Sequence, residues 1–193
     1  MNERERSDLA ASCRDCDIIP KVNNAGEIVT VDGVELQIMH NGVRTRVDSH
    51  YGNYNVDVIR RLRGHHEPQE ERVFHEILKT LPAGGTILEL GSFWAYYSLW
   101  FLHEVQGGRA IMTEPVPEAL EAGKRNFEIN MREGNFLHAA ISDQAQDPKD
   151  IELWPGKITH APTVTVDSVI AEKKIDHLSI LHADIQGLSL IHI

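Results

Sequence analysis

The sequence predicts an α/β fold, a mostly parallel sheet with helices on both faces, preceded by a small antiparallel β meander. Three observations lead there. From Thr86 onward, short apolar runs alternate with stretches of helical periodicity, the pattern of strand–helix–strand units. Between Gly26 and Asp48, apolar and polar residues alternate instead, around Asp32-Gly33 and Asn41-Gly42, two turn signals that join antiparallel strands. And a length of 193 residues suits one main domain with a modest appendage.

Taken in order, residues 1–22 are polar and without clear periodicity, and are expected to form a mobile lead-in. Residues 23–66 form a β-rich appendage. In it Ile28 to Val31 and Val34 to Ile38 flank the Asp-Gly turn, Val43 to Val47 alternates again, and Val56 to Arg63 reads as a short helix. Residues 67–193 form the main domain. Pro68 suits a first helical turn, after which Val73, Ile77 and Leu78 recur at helical spacing, and Pro82-Ala83-Gly84-Gly85 turns the chain. Thr86 to Leu90 is the first strand, Ala95 to His103 a buried helix, and Arg109 to Thr113 the second strand. Pro117 to Arg132 is a helix with Leu120, Phe127 and Ile129 inward, and Phe136 to Ile141 the third strand. Short strands are expected at Ile151 to Trp154 and Thr163 to Val166, a helix at Asp167 to Lys174, and a fourth main strand at Leu178 to Ala183. Trp94, Tyr96, Tyr97 and Trp100 read as core packing of the first helix.

Composition limits the function. The formal net charge is −10, which argues against a nucleic-acid partner, since such proteins carry basic patches. No apolar run approaches the roughly 18 residues of a membrane helix. The charged start Met1-Asn2-Glu3-Arg4-Glu5-Arg6 lacks a signal-peptide core, so a cytoplasmic location is expected. Cys13 and Cys16 supply at most half a zinc site and are expected to be reduced thiols. The group His65-His66-Glu67 with His75 holds zinc-ligand types. Adjacent side chains seldom converge on one ion, however, and no histidine pair stands at i, i+4. No metal is expected there, and the stretch reads as a loop lining a cofactor mouth.

The candidate chemistry lies at strand ends. In an open parallel sheet, ligands bind outside the carboxyl ends of the strands where the winding reverses. Gly91 follows the first strand, Glu114 the second and Asp184 the fourth. Gly91 lets a ligand approach the backbone, with a helix N-terminus behind it. Glu114, 25 residues past Glu89, is placed to accept both hydroxyls of a ribose. That pair fits NAD and S-adenosyl-L-methionine (SAM) alike. The glycine turn separates them. A pyrophosphate needs Gly-x-Gly-x-x-Gly, whereas Gly91-Ser92-Phe93-Trp94-Ala95-Tyr96 offers one glycine and then bulky rings. SAM carries no phosphate, and Glu89 can face the cationic amino-acid end of that cofactor.

With these residues in view, the chain resembles the FkbM-type methyltransferases, a branch of the class I SAM enzymes, from about Glu67 to Gly187. The resemblance rests on Glu67-Pro68, Ile87-Leu88-Glu89-Leu90-Gly91-Ser92, Thr113-Glu114-Pro115-Val116-Pro117, Ala140-Ile141-Ser142-Asp143 and His182-Ala183-Asp184-Ile185-Gln186-Gly187. It implies a Rossmann-like fold and SAM as cofactor. The implied contacts come from Glu67, Glu89, Gly91 and Ser92, with the ribose on Glu114 and the adenine side near Ser142 and Asp143. It further implies a reaction-side role for Asp184 and methyl transfer to a hydroxyl of a small-molecule or glycan-like acceptor. Ala95 stands where members often have a second glycine. Gln186 stands where many have glutamate and cannot act as a base, which leaves Asp184 or no protein carboxylate for that role. Leu188 to Ile193 resembles translated adapter sequence, so a fragment is expected, poorly soluble or partly folded when made alone. The alternatives are an NAD-dependent oxidoreductase and a non-catalytic SAM-binding fragment.

Overall fold

The computed structural model describes residues 3–50, 52–154 and 156–185. The chain divides into two units, Met1–Leu81 with Ile129–Met131, and Pro82–Glu128 with Arg132–Ile193. The division falls after Leu81, later than the expected boundary at 66/67.

In the first unit, residues 3–18 carry helical structure where the sequence leads one to expect a mobile lead-in. Glu3–Ser12 is helix α1, and a 3-10 turn at Asp15–Ile18 buries Cys16 completely. Both cysteines are free thiols. Polar contacts hold α1 to α2 (Gly52–Arg61): Ser7 Oγ donates to Asp57 at 2.6 Å, and Arg61 donates to Asp8 at 2.8 Å. A helix tethered by polar groups has no apolar stripe for the sequence to display. Strands β1 (Ile28–Val31), β2 (Val34–Ile38) and β3 (Arg44–Arg46) form an antiparallel meander in that order. Its first turn places Asp32 and Gly33 at φ 51° and 79°, the left-handed pair that a two-residue hairpin requires.

Helix α3 (Pro68–Leu78) begins at its proline as expected. Its buried face is Glu71, Phe74 and Leu78, whereas Val73 is 60% and Ile77 39% exposed. At 3.6 residues per turn, 71, 74 and 78 share one side. The helix carries two apolar stripes, and the sequence reading took Val73 and Ile77 from the outer one.

In the second unit, β4 (Thr86–Leu90), β5 (Arg109–Thr113), β6 (Asn135–Leu137) and β10 (Ile180–Ala183) form a sheet in the order β10-β4-β5-β6. Every neighbouring pair is parallel. The chain winds outward from β4 to β6 and returns to the far side of β4. The winding therefore reverses between β4 and β10, the place at which open parallel sheets bind ligands outside their strand ends. Every residue of β4 is buried, as a central parallel strand requires. Leu88, Leu90 and Ile111 pack with Val169 of α6 (Val166–Glu172) and Ile175 on one face. The face that carries Glu89 is covered by α4 (Tyr96–Glu104). Its aromatic run is core, with Trp94, Tyr96, Tyr97 and Trp100 each 5% exposed or less. Helix α5 (Pro117–Ile129) adds buried Leu120 and Phe127, and the buried Asn126 donates to Trp94 O at 3.0 Å. This is the α/β architecture expected.

The expected third strand is split. Beyond β6, His138 bonds to Pro115 O at 2.9 Å, and β7 (Ala140–Ile141) joins a separate sheet, β7-β9-β8. There β8 (Gln146–Trp154) and β9 (Lys157–Val164) pair antiparallel, longer than the short strands expected. Among the described residues no helix is long and apolar enough to cross a membrane.

Candidate functional site

The loop leaving β4 is bound to β5 at its root. The N–H groups of Gly91 and Ser92 both donate to Thr113 O, at 2.9 and 3.0 Å. Gly91 adopts φ 73°, and a β-carbon there would run into the carbonyl oxygen of Asp184 at the end of β10. Two strands thus meet across a glycine that has no room for a side chain. Phe93 and Ala95 are also left-handed, at φ 47° and 59°. Each such non-glycine residue costs about 1–2 kcal/mol. Ala95, where the resembling family often has glycine, therefore holds a conformation that glycine takes freely. The loop then enters α4, whose first N–H groups face outward from the helix end.

Three carboxylates surround this loop. Glu114, 5% exposed, accepts from Phe93 N–H on one oxygen and from Val116 N–H on the other, both at 2.9 Å. It thereby clamps the glycine loop, and each oxygen keeps a further lone pair for a hydroxyl. Burial pushes its carboxyl above the usual range, against the pull of those N–H donors. Glu89, 2% exposed, turns one oxygen to the first turn of α4, where it accepts from Ser98 N–H at 3.1 Å and from Ser98 Oγ. Its other oxygen faces His182 Nδ1 at 3.8 Å. Burial raises this carboxyl to about 7, although His182 and Ser98 favour its charged form. Asp184 is exposed, and its charge opposes ionisation of both Glu89 and Glu114. When ionised, carboxylates grouped this way attract cations and repel phosphates.

The structure therefore brings together Glu89, Gly91, Ser92, Glu114 and Asp184. The Oγ of Ser92 is buried without a hydrogen-bond partner. Ser142 and Asp143 follow β7, off the parallel sheet. Ser142 N–H donates to Val164 O, and Ser142 Oγ to Asp143 at 3.1 Å. Glu67 lies in the first unit, where its carboxylate pairs with His66 at 3.2 Å and its N–H donates to Glu71. Gln186 lies outside the described residues, as do Gly187 and the terminal stretch. Ser98 and His182 were missed by the sequence reading. Ser98 sits one helical turn into α4, and His182 needs the β4–β10 register to find Glu89.

One further cluster bears on metal binding. In the first unit, atoms of His40, His65 and Glu71 lie within 4.8 Å of one another, all buried. The two imidazoles stack, centroids 4.3 Å apart with 16° between planes, and the carboxylate is already engaged as a clamp. Glu71 bonds to His65, accepts from the N–H groups of His66 and Glu67, and pairs with the His66 ring at 2.7 Å. Burial opposes charge on both partners, yet these contacts hold Glu71 well below the usual carboxylate range and raise His66 to about 10.

The burial of Glu89 gives a stability prediction. Its folded carboxyl keeps a proton until about pH 7, which the unfolded chain releases near 4.5. Its contribution is therefore lost as pH rises from about 4.5 to 7. Glu89→Gln retains an acceptor for Ser98 without the charge. In urea melts it is expected to match the wild type near pH 4.5 and to gain roughly 3 kcal/mol on it by pH 8. A constant difference across that range would refute the assignment.

No family model matches the chain, and no curated protein matches it, so the FkbM-type resemblance rests on its motifs. Among solved structures the chain is similar to a protein-L-isoaspartate O-methyltransferase, at 24% identity and a TM-score of 0.33. The overlap covers 38% of this chain and 23% of that one. The chain thus matches less than a quarter of that protein's length.

Proposed function

We propose that the second unit binds SAM and that the protein is a SAM-dependent methyltransferase, acting on a hydroxyl of a small-molecule or glycan-like acceptor. One observation carries the reading: a single-glycine loop at the reversal of the sheet, ringed by Glu89, Glu114 and Asp184. The carboxylates suit a cofactor with a cationic sulfonium and ammonium, and they disfavour a pyrophosphate. In this reading Glu114 takes the ribose hydroxyls, Glu89 faces the amino-acid end, and the Gly91 backbone lies against the cofactor. When bound, SAM supplies an electrophilic methyl group. Asp184, exposed just past the end of β10, is the residue placed to orient the acceptor hydroxyl or take its proton. Alignment of the two reactants is the main help this chain can give to a direct displacement. Ser142 and Asp143 on the adenine side, and Glu67, remain candidate contacts from the family resemblance alone.

The test of the activity is methyl transfer. The protein is incubated with SAM carrying a tritiated methyl group and a panel of hydroxyl-bearing small molecules and glycans. Label in an acceptor that falls at least tenfold in Asp184→Asn supports the reading. Tight SAM binding with no label in any acceptor would leave a SAM-binding module instead.

A further inference from the structure

Glu89 is the centre of a group that the sheet register assembles. Strand β10 runs parallel to β4 with His182 paired to Glu89, so both side chains leave the same face of the sheet. Their nearest polar atoms, His182 Nδ1 and Glu89 Oε1, are 3.8 Å apart, and the side chains are only 10% and 3% exposed. The His182 ring packs on Tyr97 of α4, centroids 4.3 Å apart and planes 34° apart, which fixes the imidazole beside the carboxylate. From α4, Ser98 holds the other oxygen of Glu89. From the end of β10, Asp184 adds a negative charge that opposes ionisation of Glu89, whereas His182 favours it. At this separation and burial, salt and water screen the pair weakly.

We propose that His182 and Glu89 titrate as one electrostatically coupled pair, with His182 the positioning residue that sets the charge of Glu89. The protonated imidazole draws the Glu89 midpoint down against burial. With a neutral side chain at 182, Glu89 takes up the proton itself. Near neutral pH the pair carries no net charge, and at higher pH it loses the proton and becomes an anion. The pair exists whatever the ligand, but its consequence rests on the SAM reading. A cationic amino-acid end then binds best to the deprotonated pair, and its arrival expels the proton to solvent.

The experiment uses the ligand-free protein with carboxyl-13C glutamate and ring-15N histidine, followed by NMR between pH 4 and 10. Coupling predicts that the Glu89 carboxyl and the His182 ring each report both titration steps of the pair. In His182→Gln the Glu89 midpoint is expected to rise by about one pH unit or more, and His182→Lys is expected to return it. A Glu89 midpoint unmoved in a folded His182→Gln overturns the proposal. So do separate single-step titrations in the wild type, a readout that needs no variant. A second arm measures S-adenosylhomocysteine affinity. His182→Gln is expected to lose about tenfold at pH 7 and to recover by pH 9. If the ligand-free titrations show the coupling and S-adenosylhomocysteine does not bind, the cofactor reading fails and the pair stands. If S-adenosylhomocysteine binds and the titrations are uncoupled, the reverse holds.

Discussion

Gly91→Ala is expected to destabilise the protein by at least about 3 kcal/mol and to abolish measurable cofactor binding. Two effects add. The residue sits at φ 73°, where an alanine costs about 1–2 kcal/mol. The new methyl group also meets the Asp184 carbonyl, just past the end of β10, where the Asp184 N–H is bonded to Leu90 O, and that backbone atom cannot swing aside as a side chain could. Relief requires β4 and β10 to part at their carboxyl ends, beside the proposed cofactor site. The check is a urea melt together with calorimetric titration of S-adenosylhomocysteine. Gly84→Ala is the control. It also has positive φ, at 77°, but its added methyl would meet nothing within 4 Å, so it should show the conformational cost alone. Equal losses in the two variants would refute the close approach of the strands.

Glu114→Ala is expected to weaken S-adenosylhomocysteine binding by about a hundredfold. Hydrogen bonds to a charged acceptor contribute roughly 1.5–3 kcal/mol each, and about 1.4 kcal/mol is a tenfold change in affinity. Two ribose hydroxyls losing their acceptor would suffice. The same variant strands the N–H groups of Phe93 and Val116, which Glu114 now holds at 2.9 Å, so a fall in melting temperature should accompany the loss. Glu114→Gln separates the roles. Its amide oxygen can still accept one loop N–H, so stability should largely return, while the charge and the second acceptor stay missing and affinity stays low. Wild-type affinity in Glu114→Ala would remove the ribose assignment.

What the sequence made legible was local. The Asp32-Gly33 hairpin follows from residues that tolerate positive φ, and the structure places both there. Gly91 and Glu114 could be singled out because each closes a short apolar strand, and in a parallel sheet such ends come together. What stayed hidden depends on distant partners. Helix α1 is held by Ser7, Asp8, Asp57 and Arg61, contacts without hydrophobic periodicity. Glu71 carries no signal in the sequence, yet fully buried it fastens residues 65–67 to α3. The histidines near it drew attention for metal binding, but it is His40, far off in the chain, that stacks on His65. The break between β6 and β7 comes where the chain leaves β5 and pairs with β9, a change of distant partner that a run of apolar residues cannot announce. His182 meets Glu89 only through the register of β4 with β10.

In the proposed function, the site at the Gly91 loop takes SAM and refuses a dinucleotide. The direct measurement is a thermal-shift titration of the chain with S-adenosylhomocysteine and, separately, with NAD. A ligand at a hundred times its Kd stabilises the folded state by about 2.7 kcal/mol, which at this chain length raises the melting temperature by roughly 5–10 °C. The account predicts that rise with S-adenosylhomocysteine and none with NAD. A rise with NAD alone would contradict it.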